Sequence, residues 1–245
     1  MRPILFQIGS IPIYSYGFML SVAILVGVVL AAREAKRRHW DVERLMDFYL
    51  FAIVVGLLTS RLLYVALDWQ FYRAHPIHML YLWEGGLSLH GAILGGALVA
   101  VWHSWRWRWS FWELADISAP SLALGTAIAR VGCFMRGCCY GIPTDLPWGI
   151  NTVLASGLRH PTQIYESLLV LGVFFLLWAL RRRVRVPGGL FLLYVIMYSS
   201  IRFVVEFWRA SVHIAGWLTV AQLASILLVC FALLVYIWRA RSYRY

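Results

Sequence analysis

The sequence is poor in charge. Only 13% of its 245 residues are Asp, Glu, Lys or Arg, against 62% hydrophobic residues, a balance far outside that of soluble globular domains. This excludes a soluble enzyme or a free binding module, and the expected fold class is an all-α polytopic integral membrane protein. Cysteine is scarce as well. There are four, and three of them fall within seven positions, unlike the evenly spread framework of a disulfide-stapled secreted domain. The remaining one, Cys230, lies in the last apolar run and reads as a packing residue. The stretch MRPILFQIGSIPIYSYG lacks both a compact hydrophobic core and a small-residue cleavage site, so no cleaved signal peptide is expected. No broken helix recurs in two halves, as it does in transporters built from repeats. Nor is there room for a separate soluble domain, and a single transmembrane domain is expected over residues 1–245.

What the sequence has is long apolar runs. They lie at about residues 15–32, 47–67, 87–103, 114–133, 164–180, 188–207 and 217–238, each near the length of about 20 residues that crosses a bilayer. Seven transmembrane helices are therefore expected. The formal charge of +11 could suggest nucleic acid, but the placement of the charges argues against such a partner. Of 22 Lys and Arg, 14 fall into four clusters, at residues 33–44, 106–108, 181–185 and 239–244. They follow alternate spans. Under the positive-inside rule this puts the N-terminus outside and the C-terminus in the cytoplasm. Tyr14, Tyr16, Trp69, Trp83, Trp105, Trp208 and Trp217 recur near the ends of the runs and read as interfacial belts. Residues 134–163 carry Pro143, Pro147 and Pro161 with several glycines, and are expected to form an ordered loop or re-entrant segment.

Three arginines sit within apolar runs: Arg61, Arg130 and Arg202. A guanidinium at that depth costs a few kcal/mol unless it faces protein, water or an anion, so each is a candidate functional group. The expectation is that the helices bring them to one anionic lipid headgroup. Tyr198, Arg202, Glu206 and Arg209 lie at spacings of three and four on one helical face. This is either an intrahelical ion pair that neutralises a costly charge, or a pair that orients Arg202 towards a phosphate, which its planar fork matches.

Other residues have two readings each. His90, in WEGGLSLHGAILGG, is either a polar packing residue or a general base beside glycines that admit a close ligand. HPTQIYES, residues 160–167, is either a helix start with an interfacial tyrosine or part of a site facing outward. Cys133, Cys138 and Cys139 follow a C-x4-C-C spacing, which fits packing or a vicinal disulfide, a zinc site completed by His160, or a nucleophile. A structural zinc site usually shows C-x2-C pairs, so the structural reading leads.

Taken together, these motifs resemble the prolipoprotein diacylglyceryl transferase family along almost the whole chain. SYGFML at residues 15–20, SRLLY at 60–64, WEGGLSLHG at 83–91, DISAP at 116–120, RHPTQIYE at 159–166 and YSSIRFVVEFWR at 198–209 correspond in type and order. The family signature reads approximately G-R-x-G-N-F-x-N-G-E-x-x-G, where this chain has ARVGCFMRGCCYG. Arg130, Gly132, Phe134, Gly137 and Gly141 keep register. Cys133 and Arg136 take the asparagine positions and Cys138 takes the glutamate position.

The resemblance implies an enzyme of the bacterial inner membrane that moves the sn-1,2-diacylglyceryl group of phosphatidylglycerol onto the lipobox cysteine of a prolipoprotein. Glycerol phosphate is released, and no metal or cofactor is implied. By motif position, His90 is the implied base, and Arg130 and Arg202 stabilise the leaving phosphate. Glu206 and Tyr198 orient Arg202, and Tyr16 helps seat the lipid. Arg61, Gly91, Cys133, Arg136, Gly141, His160 and Arg209 complete the implied substrate-binding set. The site is expected near the outer leaflet, open to lipid and to the signal-peptide thiol. Three other readings stay open: a divergent member with another donor or acceptor, a lipid transporter without chemistry, and an inactive binding protein.

Overall fold

The computed structural model describes residues 1–9, 11–81, 85–211, 213–215 and 218–243. Trp83 and Trp217, expected in the aromatic belts, lie outside the described residues. The described residues form eight α-helices: α1 Ser15–Arg37, α2 Val42–Leu67, α3 Trp69–Ala74, α4 Leu89–Trp107, α5 Phe111–Arg136, α6 Thr162–Leu180, α7 Gly189–Val205 and α8 Val220–Ser242. Three short antiparallel hairpins join them, pairing β1 Ile4–Ile8 with β2 Ile11–Tyr14, β3 Ile150–Thr152 with β4 Ala155–Arg159, and β5 His213–Ala215 with β6 Leu218–Thr219. Residues 1–15 and 134–163, expected outside the spans, carry the first two hairpins; the third starts in the expected outer segment 208–216 and ends at Thr219, within the last expected span.

The architecture is that of an all-α multi-pass membrane protein. Among the described residues, six helices are long and apolar enough to cross a bilayer: α1, α2, α5, α6, α7 with the 3-10 turn after it, and α8. They expose apolar side chains that a soluble fold would bury, such as Leu223, Leu227, Phe231 and Leu234 along α8. Cys230, expected in packing, is exposed on the same helix. The remaining expected span coincides with α4, which has 19 residues but is not among the six; it carries His90, His103, Ser104 and Arg106. Three helices, α2, α5 and α6, begin earlier than their apolar runs. α2 starts at Val42 because Asp41 caps it, its carboxylate accepting from the Arg44 N–H at 3.2 Å.

The chain packs as two compact units. The smaller, Ala32–Leu114, is built on the antiparallel pair α2 and α4. Their backbones nearly touch. The Thr59 hydroxyl donates to the Gly91 carbonyl at 2.7 Å, and the Ser88 N–H donates to the Ser60 carbonyl at 3.1 Å. A Cβ on Gly91 would lie 2.4 Å from the Thr59 carbonyl oxygen, so only glycine fits there.

The larger unit, Met1–Ala31 with Ala115–Tyr245, stacks α5, α6 and α7 around a small-residue seam. Ala119, Ala123 and Ala127 recur every fourth residue on α5 and meet Val170, Val173 and Leu177 of α6 and Leu190 of α7. The antiparallel order gives this unit two different ends. At one end Asp116 accepts from the N–H groups of Gly188 and Phe191 at 2.8 and 2.9 Å, capping α7, whose own N-cap residue is a glycine. The basic residues 181–185 and Arg239 are at this end, and Arg239 donates to the Pro187 carbonyl at 2.8 Å. The opposite end gathers the start of α1, the end of α5, the start of α6, the end of α7 and the start of α8.

Replacing Gly91 by alanine should force α2 and α4 apart and lower stability by about 1–3 kcal/mol. Gly96→Ala, where a Cβ meets nothing within 4 Å, should leave the protein unchanged. Thermal unfolding in detergent distinguishes the two, and equal midpoints would contradict the close approach.

Candidate active site

In the larger unit two arginines are each paired with one buried carboxylate. Arg130 Nη2 lies 2.8 Å from Glu166 Oε1, and the Tyr198 hydroxyl donates to the same oxygen at 3.2 Å. Arg202 Nη1 lies 2.5 Å from Glu206 Oε2, and the Thr219 hydroxyl donates to Glu206 Oε1 at 3.1 Å. Glu166 and Glu206 are almost fully buried, while both guanidinium groups keep a partly open edge. Arg209 and Arg136 add positive charge beside the cysteines. Four arginines against two glutamates (4 − 2) leave a surplus of two positive charges among these residues, which suits an anion.

The turn after α5 places the cysteines. Cys138 N–H bonds to the Cys133 carbonyl at 3.2 Å and Gly137 N–H to the Phe134 carbonyl at 3.1 Å, with Gly137 at φ +82°. These are the two bonds of a Schellman motif, which sets the side chains at its first and last positions against each other. Here those positions are Cys133 and Cys138. Cys139 follows at φ +64°, a left-handed conformation rare outside glycine, and its thiol joins theirs. The Gln163 amide donates to the Cys138 carbonyl at 2.6 Å and the Thr162 hydroxyl to the Cys139 carbonyl at 2.8 Å. All three are free thiols whose sulfurs lie within 4.8 Å of one another. Hydrogen bonds from Cys133 and then Cys138 hold the Cys139 thiol well below the ordinary thiol range, against burial, with Arg209 and Arg130 adding to the effect. Cys138 moves the other way. Its bond with Cys133 favours the thiolate, but its bond with Cys139 and its burial outweigh that and push it up.

Downstream, three strand-like segments meet at Gly141. Gly141 N–H donates to the His160 carbonyl at 2.9 Å and Ile142 N–H to the Trp208 carbonyl at 2.9 Å. A Cβ on Gly141 would stand 2.3 Å from the Trp208 carbonyl oxygen.

In the smaller unit His90 occupies the first turn of α4 and is exposed. The helix start is anchored by the Ser60 hydroxyl, which donates to the Ser88 carbonyl at 2.8 Å. Arg61 uses all five of its N–H donors on backbone carbonyls: Met79 at 3.0 Å, Gly85 at 2.6 Å, Gly86 at 2.9 Å, Tyr81 at 3.3 Å, and His78. Its guanidinium also lies over the Tyr72 ring, 5.2 Å from the centroid.

The sequence pattern of the family described as "Prolipoprotein diacylglyceryl transferase" matches residues 3–238. The chain belongs to this transferase family. Its relatives include proteins named phosphatidylglycerol–prolipoprotein diacylglyceryl transferase. The one from Thermosynechococcus vestitus is 38% identical over 233 residues, covering 91% of this chain and 87% of its own. That from Halalkalibacterium halodurans is 40% identical over 246 residues (95% and 84%), and that from Geobacillus kaustophilus 39% over 245 residues (95% and 90%).

Against the expectations for such a transferase, the larger unit brings together Tyr16, Arg130, Cys133, Arg136, Gly141, His160, Tyr198, Arg202, Glu206 and Arg209 at one end. Tyr16 starts α1 beside Gly132, on which a Cβ would come within 3.5 Å of the Tyr16 Cα. Four roles change. Tyr198 bonds to Glu166 rather than orienting Arg202, because its hydroxyl reaches across to α6. Arg61 holds a chain segment, its donors being filled by carbonyls. Gly141 and Gly91 act through close packing, since a side chain at either would strike a carbonyl oxygen. His160 does not complete a metal group with the cysteines: it is buried and its Nδ1 faces the Tyr165 hydroxyl at 3.2 Å. Glu166, Gln163 and Thr219 were not among the expected site residues. Glu166 had a signal, a lone carboxylate one turn into an apolar helix, which needs a cationic partner.

Removing one partner of the Arg130–Glu166 pair should cost about 3–5 kcal/mol, so Glu166→Ala should lower the unfolding midpoint far more than Tyr198→Phe, which removes one hydrogen bond of about 1 kcal/mol. Comparable shifts in detergent would refute the pairing. The thiol order has its own readout. Thiolate persists at lower pH where the pKa is lowered and disappears sooner where it is raised, so near pH 6.5 iodoacetamide should label Cys139 ahead of Cys138. The gap should close as pH rises. Equal rates near pH 6.5, read by peptide mapping, would contradict the assignment.

Proposed function

We propose that this chain transfers the sn-1,2-diacylglyceryl group of phosphatidylglycerol to the lipobox cysteine thiol of prolipoproteins in the bacterial inner membrane. The observation that carries this reading is the pair of carboxylate-held arginines at one end of an apolar helix bundle, in a chain of this family. The thiolate sulfur attacks the glycerol carbon that bears the phosphate. A carbon–sulfur bond forms as the carbon–oxygen bond breaks, and the electron pair goes to the phosphate oxygen, so glycerol phosphate leaves. A free thiol has a pKa of about 8.5, so a base is needed, and His90 takes its proton by motif position. Arg130 and Arg202 stabilise the charge that grows on the leaving phosphate. Fixed guanidinium donors do this best in a low-dielectric setting, because they need not reorganise as the bond breaks. Glu166 and Glu206 hold them in place.

The basic residues 181–185 and Arg239 at the opposite end of this unit support a site on the outer-leaflet side, the basic end being cytoplasmic. The apolar seam of Ala119, Ala123, Ala127, Val170, Val173 and Leu177 between the two ends favours chemistry over headgroup transport, which requires a polar path.

The test is mass spectrometry of a synthetic lipobox peptide incubated with the purified protein and phosphatidylglycerol. A diacylglyceryl mass increment on the peptide cysteine is expected, and it should be lost with His90→Ala. Arg130→Ala and Arg202→Ala should each lower the rate by about 100-fold or more while the protein stays folded by size exclusion. No adduct from a folded parent chain would overturn the reading.

A further inference from the structure

The cysteine turn has a geometry that close packing of small apolar side chains does not require. Three sulfurs from a seven-residue stretch lie within 4.8 Å of one another, because the Schellman bonds face Cys133 with Cys138 and the left-handed Cys139 folds its side chain back to them. A cation bound to three sulfurs at about 2.3 Å needs them roughly 4 Å apart at most, so the cluster has less than an ångström to close. The carbonyls of Cys138 and Cys139 are fixed by Gln163 and Thr162, both about 1% exposed, so the ligand-bearing backbone is supported by a rigid outer set. Arg136 lies near Cys138, and Arg209 and Arg130 near Cys139, so positive charge adjoins the cluster.

We infer that Cys133, Cys138 and Cys139 form a three-thiolate site for a thiophilic cation, Zn2+ or Cu+. Binding takes all three sulfurs as thiolates, any thiol proton going to solvent, and leaves a unit of net charge −1 with Zn2+ or −2 with Cu+, which the surrounding arginines balance. The soft thiolate set excludes Mg2+ and Ca2+, which take oxygen ligands. Cys133 and Cys138 would be ligands from the last turn of α5 and the residue after its cap, so the cation would lock the end of the helix that also carries Arg130.

The test uses the full chain in detergent, reduced and stripped of metal. Co2+ serves as the probe for Zn2+, because thiolate binding gives it a near-ultraviolet charge-transfer band; Cu+ is added anaerobically in a separate arm. The parent chain and Cys230→Ser should each retain one equivalent of metal through desalting. The variant carrying Cys133→Ser, Cys138→Ser and Cys139→Ser should retain none. In the parent chain, Zn2+ should also slow iodoacetamide labelling of these three cysteines by about tenfold while leaving Cys230 unaffected. This footprint stands even if the triple variant does not fold. Loss of metal on desalting, equal retention by the folded triple variant, or labelling unchanged by metal would overturn the proposal. So would recovery of a Cys138–Cys139 disulfide that metal does not suppress. Each readout is independent of lipid transfer.

Discussion

A guanidinium within a bilayer costs a few kcal/mol unless it meets protein, water or an anion, and the pairing of Arg130 with Glu166 is the constraint on which the larger unit depends. The two residues come from different helices, so the pair sets the angle and depth at which α5 and α6 meet. The alanine seam lets those helices approach, and the Ser167 hydroxyl, one residue beyond Glu166, donates to the Ala127 carbonyl at 2.9 Å. Tyr198 extends the arrangement to α7. Each further hydrogen bond to the carboxylate lessens the cost of burying it.

Holding an arginine by one edge differs from neutralising it. A guanidinium offers five N–H donors, and in Arg130 and Arg202 the recorded carboxylate contacts engage a single terminal nitrogen each. The partly exposed remainder is what a phosphate needs. Arg61 shows the contrasting case, in which carbonyls take every donor and the side chain becomes a cross-link for the segment before α4. The residue type is the same; what differs is whether the partners leave donors over.

Much of the fold was legible because apolar length is a direct physical requirement of the bilayer. The seven runs anticipate α1, α2 and α4–α8, with ends that differ by up to five residues, as at α2, which Asp41 caps ahead of its apolar core. The hairpins were not legible, being two to five residues per strand with no room for an alternating pattern. Of the site, the arginines were visible through their burial cost, but their partners were not. Tyr198 and Arg202 share a helical face, which suggested a bond between them; only the position of α6 shows that Tyr198 reaches Glu166. The role of Arg61 was hidden for a different reason, since backbone carbonyls carry no residue identity. The convergence of Cys133, Cys138 and Cys139 was hidden because their C-x4-C-C spacing straddles a helix terminus, where the Schellman bonds and not the spacing bring the sulfurs together.

The two ion pairs differ in how the chain can make them as it enters the membrane. Arg202 and Glu206 are four residues apart, so their charges can cancel as soon as α7 coils, before any other helix has arrived. Arg130 and Glu166 are separated by the whole loop after α5, so α5 carries a bare guanidinium until α6 has been synthesised and inserted. The first pair needs one helix; the second needs two. In the larger unit the Arg130–Glu166 pair is therefore a product of helix association, whereas the Arg202–Glu206 pair belongs to a single stretch of chain.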